Sequence, residues 1–201
     1  MNLLFVHDHK FYKDNNIFYS SGGLPGYIWD RYLEHFSSMI VIGRRLYNKN
    51  SGLVKSSKEK VEFSLIKEYN SPSDEFLNSK IIDENIINSI KKVDAVIVRL
   101  PSNLGFRTIK LCKKLNKPYA IEVVGCGWDS YWYYGNLKGK LMAFLSYSRM
   151  KKSILKSEFT IYVTKSYLQS RYKTNGYNSY ASNVEIDNNK VESILDVSKL
   201  I

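Results

Sequence analysis

Short apolar runs alternate with longer stretches of helical periodicity along most of this chain. The apolar runs have the length and β-branched content of buried strands; they are LLFVH, MIVIG, VEFSLI, DAVIVR, PYAIEVV and FTIYVT. Helices are predicted between them, over residues 24–36, 79–90, 103–115, 137–157 and 166–172. The polar segment 47–60 is predicted to be a mobile loop, and Ser102 to cap the helix that begins at Asn103. Alternating strands and helices predict an α/β fold, a Rossmann-like doubly wound parallel sheet.

Two of these strands end in polar residues, where a parallel sheet opens its ligand crevice. DAVIVR ends in Arg99, and PYAIEVV carries Glu122 inside an apolar run. Arg99 either contacts an anion in the crevice or forms an ion pair with Glu122, because an unpaired buried charge is costly. Glu122 is either paired or has a raised pKa, and both alternatives indicate a site.

The loop that leaves PYAIEVV adds Cys126 and Asp129 to the same predicted site. Asp129 can accept a hydrogen bond from an acceptor hydroxyl or cap the next turn. Cys126 lacks a Cys/His signature for a nucleophile, so we interpret it as a small side chain that faces the site. Because adjacent parallel strands end at one edge, Arg99 and the turn from Glu122 to Asp129 are expected to meet there.

The start of the chain offers a second group of candidate residues. His7, Asp8 and His9 follow the first strand. On an extended chain His7 and His9 face the same way, but no third metal ligand is evident near them, so no metal is expected. One of these three side chains, with His9 as the candidate, is predicted to face the crevice as a hydrogen-bonding or acid–base group, and the others are predicted to pair structurally. Gly22 and Gly23 precede the predicted helix 24–36, where backbone N–H groups and the helix dipole would favour a phosphate; an ordinary loop is the alternative.

The net charge of +11 is compatible with binding to nucleic acid, to an anionic membrane or to a phosphorylated substrate. The alternative is that the charge only keeps the protein surface soluble. No nucleic-acid-binding motif is present, so nucleic acid is not expected as a partner. The helix over residues 137–157 is basic and amphipathic. It either touches an anionic membrane or packs Ala143, Tyr147, Met150 and Ile154 into the core and leaves its lysines in water.

Two cysteines cannot form a disulfide framework, and no apolar run reaches the roughly 20 residues that cross a bilayer. The first apolar run has no basic segment before it, so it predicts a core strand rather than a signal peptide. These features predict a cytoplasmic protein, at most peripheral on the inner face of the plasma membrane, with no cofactor.

Six blocks of the sequence resemble the amino-terminal half of bacterial group-1 (family 4) glycosyltransferases of capsular and exopolysaccharide gene clusters. They are HDHKFYKDNNIFYSSGG, WDRYLEHFSSMIVIGR, VRLPSNLG, EVVGCGWDSYWYYGNLKGKLMA, YVTKSYLQSRY and ASNV. The resemblance covers residues 1–187 and implies the GT-B fold, in which two Rossmann-like domains enclose a crevice. The amino-terminal domain of such enzymes mainly binds the acceptor. The other domain holds the nucleotide-sugar and carries an E-x7-E-type motif, which these 201 residues lack.

The resemblance implies retaining transfer of a sugar from a nucleotide-sugar to a lipid-linked saccharide acceptor. Gly22 and Gly23 would face the donor diphosphate, and Arg99, Glu122, Cys126 and Asp129 would line the acceptor side. Where many relatives carry a histidine or a carboxylate, this chain has Val124 and Gly125, so no catalytic residue is assigned. Residues 188–201 are expected to be a tail, helical near its end, or the start of an interdomain linker. The nucleotide-sugar domain is expected to be absent and the isolated chain inactive in transfer.

Other interpretations follow from the same residues. The chain could be a non-catalytic Rossmann-like subunit that recruits a partner with the donor site, or a basic protein that binds nucleic acid or a membrane surface. If a second domain is absent, the crevice rim should expose apolar residues, so self-association is predicted.

Overall fold

The computed structural model describes residues 1–49, 51–69, 72–133 and 135–182, and their strands form one mixed sheet. The strands are β1 (Asn2–Asp14), β2 (Ile17–Ser20), β3 (Ser38–Leu46), β4 (Val54–Lys55), β5 (Val61–Lys67), β6 (Ala95–Leu100), β7 (Tyr119–Val123), β8 (Phe159–Tyr162) and β9 (Tyr177–Tyr180). The helices are a 3₁₀ turn (Gly26–Trp29), α1 (Asp30–Leu33), α2 (Pro72–Leu77), α3 (Ser79–Lys91), α4 (Asn103–Lys114), α5 (Asp129–Trp132), α6 (Leu137–Leu155) and α7 (Tyr167–Arg171). None of the helices in these ranges is long and apolar enough to cross a membrane.

The parallel part of the sheet has the order β5-β3-β1-β6-β7-β8-β9. The chain therefore winds outward from β1 through β3 and β5, returns to the other side of β1 at β6, and winds outward again. This order confirms the predicted Rossmann-like, doubly wound fold. Its topological switch point lies between β1 and β6, which is where ligands bind in open sheets of this kind.

Side chains of alternate strand positions fill two cores, one on each face of the sheet. The first, which we call the α4 face, contains Leu4 and Val6 of β1 with residues of α3, α4 and α6. The second, the Trp29 face, contains Phe5 of β1, Trp29 and Tyr32. Successive residues of a strand point to opposite faces. Each residue at the end of β1 or β6 is therefore assigned to one face by its position.

The helix predicted over residues 24–36 is not continuous, which corrects the sequence-based assignment. Pro25 is extended, and only the 3₁₀ turn and the single turn of α1 follow it. The N–H of Leu24 is used outside any helix, because it donates to the hydroxyl of Ser20 at 3.0 Å. The apolar residues of this segment do pack into the core, because Ile28, Trp29 and Tyr32 are buried.

The segment predicted as a mobile loop, residues 47–60, is partly ordered by the core. β4 pairs antiparallel with β2, which pairs antiparallel with the end of β1. Ser56 is fully buried; its hydroxyl donates to the carbonyl of Leu24, and its own carbonyl accepts from the Trp29 indole at 2.8 Å. The sequence did not indicate these contacts, because the partners are distant in the chain, and the rest of the described segment is a loop as predicted. The tail predicted after residue 187 lies outside the described residues.

Candidate functional site

β1 bulges at His7, Asp8 and His9, beside the switch point. Its pairing with β3 runs from Asn2↔Ser38 to Val6↔Ile42 and resumes only at Lys10↔Arg44. Three residues of β1 thus lie opposite Gly43. A Cβ at Gly43 would stand 2.7 Å from the carbonyl oxygen of His9, so glycine is what permits this close approach.

The carboxylate of Asp8 closes the N-terminus of α4, on the α4 face. It accepts hydrogen bonds from the backbone N–H groups of Asn103 and, at 3.3 Å, Leu104. Ser102 caps the same helix as predicted, because its hydroxyl accepts from the Gly105 N–H at 3.0 Å. In a dinucleotide-binding site such amides hold the ligand's phosphates. Here the chain's own carboxylate takes that place.

Arg44 of β3 holds Asp8 from the other side. Its Nε donates to Asp8 at 3.1 Å, and its Nη2 donates to both oxygens of Glu75 at 3.1 Å. These two carboxylates raise the pKa of Arg44 despite its burial. Asp8 is therefore a positioning residue, fixed between an arginine and a helix end.

A cavity of about 330 Å³ opens next to Asp8 and the start of α4. Its polar lining includes Asn103, Ser130 and Arg149, and its apolar lining includes Met142 and Leu145 of α6. The Arg149 guanidinium lies 4.4 Å from the centre of the Phe106 ring, which also lines the cavity. A cavity of this size and mixed lining suits one sugar ring or phosphate group. We call it the switch-point cavity.

A larger hollow of about 430 Å³ lies at the opposite end of the sheet, lined by Asn2, Met39, Lys60 and Val93 among others. It sits where β1 and β3 begin. Ligands of open α/β sheets bind beyond the carboxyl ends of the strands. The smaller switch-point cavity is therefore the candidate site.

Arg99 and Glu122 form a buried ion pair on the Trp29 face. They are paired in register on β6 and β7, and Arg99 donates to both Glu122 oxygens at 3.1 and 3.2 Å. The Tyr32 hydroxyl donates to Glu122 at 3.0 Å. Of the alternatives left open by the sequence, the structure shows the ion pair.

His7 and His9 also lie on the Trp29 face, with ring centres 6.4 Å apart. Burial, followed by the positive charge of Arg99, lowers the pKa of each to about 4, so both imidazoles are neutral at pH 7. His9 shares a hydrogen bond with the Ser20 hydroxyl at 2.6 Å. His7 Nδ1 is buried and has no hydrogen-bond partner within the described ranges. No three His, Cys, Asp or Glu side chains of those ranges are grouped as metal ligands would be.

The structure brings Gly23 next to His9, since a Cβ at Gly23 would lie 3.2 Å from His9 Cε1. Gly22 has φ +100°, a conformation that favours glycine. The long helix invoked in the prediction is missing, because only a 3₁₀ turn and the single turn of α1 follow. Contact between this glycine pair and a donor diphosphate stays a prediction.

Cys126 and Asp129 do not join Arg99 and Glu122. Cys126 is buried on the α4 face, where its sulfur lies 3.2 Å from the Tyr172 hydroxyl. Asp129 accepts from the Tyr167 hydroxyl at 2.8 Å, near α7. The loop turns this way because Gly127 packs onto α6, where a Cβ would meet Ser146 Oγ at 2.6 Å. The expected single cluster is thus divided between two faces.

Several residues of the candidate site were not predicted from sequence. The sequence left open which of His7, Asp8 and His9 faces the crevice, although the alternation of a strand already places His7 and His9 on one face. Asp8, Asn103 and Arg149 carry no local signal that connects them, because they come from three separate elements. Their association depends on how α4 and α6 pack on the sheet.

Two solved structures resemble the chain weakly. A UGT transferase from Siraitia grosvenorii in complex with UDP is 9% identical, with a TM-score of 0.48 and coverage of 98% of this chain and 55% of that chain. The protofilament of TubZ from bacteriophage PhiKZ is 12% identical, with a TM-score of 0.41 and coverage of 98% and 55%. At these scores neither likeness carries an argument about function.

No family model matches the chain. Among curated proteins, Protein CapJ of Staphylococcus aureus is 43% identical over 180 residues, which cover 88% of this chain and 45% of CapJ. The chain therefore spans about half the length of this relative. A match of this length must include the middle of the chain, and so the Arg99–Glu122 pair and the cavity residues of α4 and α6.

Proposed function

We propose that this region is the acceptor-binding domain of a retaining glycosyltransferase of capsule or exopolysaccharide synthesis. The observation that carries the proposal is the switch-point cavity, which lies where an open α/β sheet binds its ligand and combines Arg149 and the Asp8 carboxylate with the neutral polar side chains of Asn103 and Ser130. The identity with Protein CapJ supports the capsule-related part of the proposal. The proposal places the domain in the cytoplasm, at the inner face of the plasma membrane.

The closed N-terminus of α4 supports acceptor binding rather than donor binding. A nucleotide diphosphate needs free backbone amides or cations, whereas the Asn103 and Leu104 amides already bind Asp8. The nucleotide-sugar would then be held chiefly by other parts of a longer enzyme, with Gly22 and Gly23 facing its diphosphate. Arg149 would contact an anionic group of the lipid-linked acceptor, and Asn103 and Ser130 its hydroxyls.

The reaction of this class requires little covalent chemistry from the protein. The bond between the sugar C1 and the donor phosphate oxygen breaks, and a bond from C1 to the acceptor oxygen forms on the same face. The acceptor's proton passes to the leaving phosphate. The domain contributes by orienting the acceptor, and positioning of this kind supplies a large share of the rate enhancement.

Binding of a soluble acceptor mimic tests the proposal. A short-chain prenyl-diphosphate N-acetylglucosamine, titrated into the isotope-labelled chain, is expected to shift the amide signals of Asn103, Ser130 and Arg149. Arg149→Gln should weaken binding about tenfold or more, because a charge-assisted hydrogen bond is lost. Lys156→Gln, at the exposed far end of α6, is the matched control.

Equal binding by the wild type and by Arg149→Gln would overturn the assignment of the cavity. UDP-N-acetylglucosamine alone is expected to bind the chain weakly and away from α4. Sustained sugar transfer by the chain alone would contradict the proposal that it supplies only the acceptor side.

A further inference from the structure

Helix α6 has apolar side chains on two opposite faces. One face packs against the sheet as predicted, with Ala143, Met150 and Ile154 buried. The other face exposes large apolar side chains, among them Leu137, Leu141, Phe144 and Leu145, with 85%, 61%, 58% and 45% of their surface accessible. An ordinary surface helix accounts for the first face only.

Helix α5 and the residue after it extend this exposed surface. Trp132 is 36% and Tyr133 is 82% accessible, and Lys140 lies over the Trp132 ring at 5.4 Å. We call Trp132, Tyr133, Leu137, Leu141, Phe144 and Leu145 the α5–α6 patch. Large exposed apolar patches on soluble domains usually mark an interaction surface.

The charge around the patch indicates what covers it. Helix α6 has no acidic residue, and its basic residues are Lys138, Lys140, Arg149, Lys151 and Lys152. The patch combines exposed leucine and phenylalanine with tryptophan, tyrosine and lysine. This combination is typical of protein surfaces that bind the interface of a bilayer containing anionic lipid. A symmetric dimer through this face would instead oppose two wholly basic helices, which costs free energy.

We propose that the α5–α6 patch docks the protein on an anionic phospholipid bilayer. The apolar half of α6 enters the headgroup region, and the lysines contact lipid phosphates. Leu145 belongs to the patch and also lines the switch-point cavity, next to Met142. The cavity therefore opens beside the docked surface. A lipid-linked acceptor would then reach the cavity from the bilayer; this last link rests on the proposed function.

Vesicle flotation tests the docking surface without any sugar. The chain is expected to float with phosphatidylcholine vesicles that contain about 30% phosphatidylglycerol, and to bind much less to phosphatidylcholine alone or at about 0.5 M salt. Lys138→Gln with Lys140→Gln should reduce the partition constant about 30-fold at low salt. Leu141→Gln with Phe144→Gln should reduce it at least about tenfold.

Matched controls come from exposed residues elsewhere. Phe76→Gln with Leu77→Gln removes equally exposed apolar surface on α2, and Lys113→Gln with Lys114→Gln removes two exposed charges at the end of α4. Both should bind vesicles like the wild type. Brominated lipid should quench the fluorescence of the wild type, and Trp132→Phe should reduce that quenching. Trp29 is fully buried, so the quenching that remains would come from Trp128, which is half-buried and stacks on Trp132 at 4.6 Å.

Absence of binding to the anionic vesicles would overturn the proposal. So would equal losses in the α6 variants and their controls. A third contradicting result is a wild-type dimer that Leu141→Gln with Phe144→Gln turns into a monomer, since a second copy would then cover the patch. The same quenching can be measured on full-length Protein CapJ. If brominated lipid does not quench the tryptophan fluorescence of its patch, another region of that longer protein covers the patch, and the proposal also fails. The soluble acceptor mimic reports on the cavity separately, so failure of one proposal is distinguishable from failure of the other.

Discussion

Arg99 and Glu122 occupy paired positions on two neighbouring parallel strands, and their side chains form a bidentate ion pair that is almost completely buried. Tyr32 completes the group by donating a hydrogen bond to Glu122. Burial and the neighbouring carboxylate raise the pKa of Tyr32, so the phenol remains a donor at neutral pH. The three residues thereby connect the helical turn of the Trp29 face to the centre of the sheet.

Removal of one partner of this pair should destabilise the fold strongly. Glu122→Ala leaves the Arg99 charge buried and unpaired, so we expect a loss of about 3–5 kcal/mol in the free energy of unfolding. Arg99→Met combined with Glu122→Leu should lose much less, because no uncompensated charge remains. Urea unfolding measures both variants.

The exposed ion pair between Lys58 and Asp30 is the control for that measurement, because Asp30 is half exposed. Asp30→Ala should cost less than about 1 kcal/mol. A cost for Glu122→Ala no larger than this would show that the buried pair contributes little to stability.

The lowered pKa values of His7 and His9 predict a loss of stability in mild acid. Both groups are neutral in the folded and unfolded chain above pH 6.5. Below that pH the unfolded chain takes up protons that the folded chain binds only near pH 4. Stability should therefore fall as the pH falls from 6.5 to 4, by on the order of 3 kcal/mol for each imidazole. Unfolding by urea at a series of pH values measures this slope.

Replacement of the two histidines identifies the source of that slope. His7→Gln and His9→Gln should each reduce the loss between pH 6.5 and 4. His35→Gln should leave the slope unchanged, because His35 is exposed. If all three variants keep the wild-type slope, the acid sensitivity comes from other groups.

The bulge of β1 should depend on Gly43. A Cβ at this position meets the Phe11 ring at 2.6 Å and the His9 carbonyl at 2.7 Å, so Gly43→Ala is expected to cost about 1–3 kcal/mol. It should also shift the imidazole signals of His9 in the NMR spectrum. Gly125→Ala is the matched control, because the nearest atom to its Cβ would be Pro101 Cδ at 3.5 Å. Equal stability of the two variants would mean that β1 and β3 adjust freely at the bulge.

Removal of the Asp8 carboxylate should open the N-terminus of α4 to anions. Asp8→Ala frees the Asn103 and Leu104 amides and leaves Arg44 with Glu75, at a cost of about 1–2 kcal/mol in stability. Millimolar inorganic phosphate should then shift these two amide signals. The wild-type chain, titrated in the same way, should show no such shift; a shift of equal size there would contradict the closed helix end.

The sequence allowed six of the seven strands of the parallel sheet to be located, all except the exposed β9, because each of the six is an apolar run bounded by polar residues. β2 and β4 were missed for the opposite reason. They are short, and they become strands only by pairing with the extended end of β1. None of the residues predicted for the site lines the switch-point cavity. Of those predicted residues Arg99 and Glu122 do meet, whereas Cys126 and Asp129 follow a loop whose direction depends on the packing of Gly127 against α6.

The sequence by itself determined the α/β class, the presence of polar residues at strand ends and the amphipathic character of the helices, because these depend on periodicities within one element. Only the tertiary structure decided the register that joins Arg99 to Glu122, the bulge of β1 opposite Gly43, and the face of α6 that stays uncovered among the described residues. These outcomes depend on contacts between elements distant in the chain. The periodicity of α6 predicted the side that carries Ala143, Met150 and Ile154 and that the core buries, whereas the exposed apolar residues on its other side became evident only in the structure.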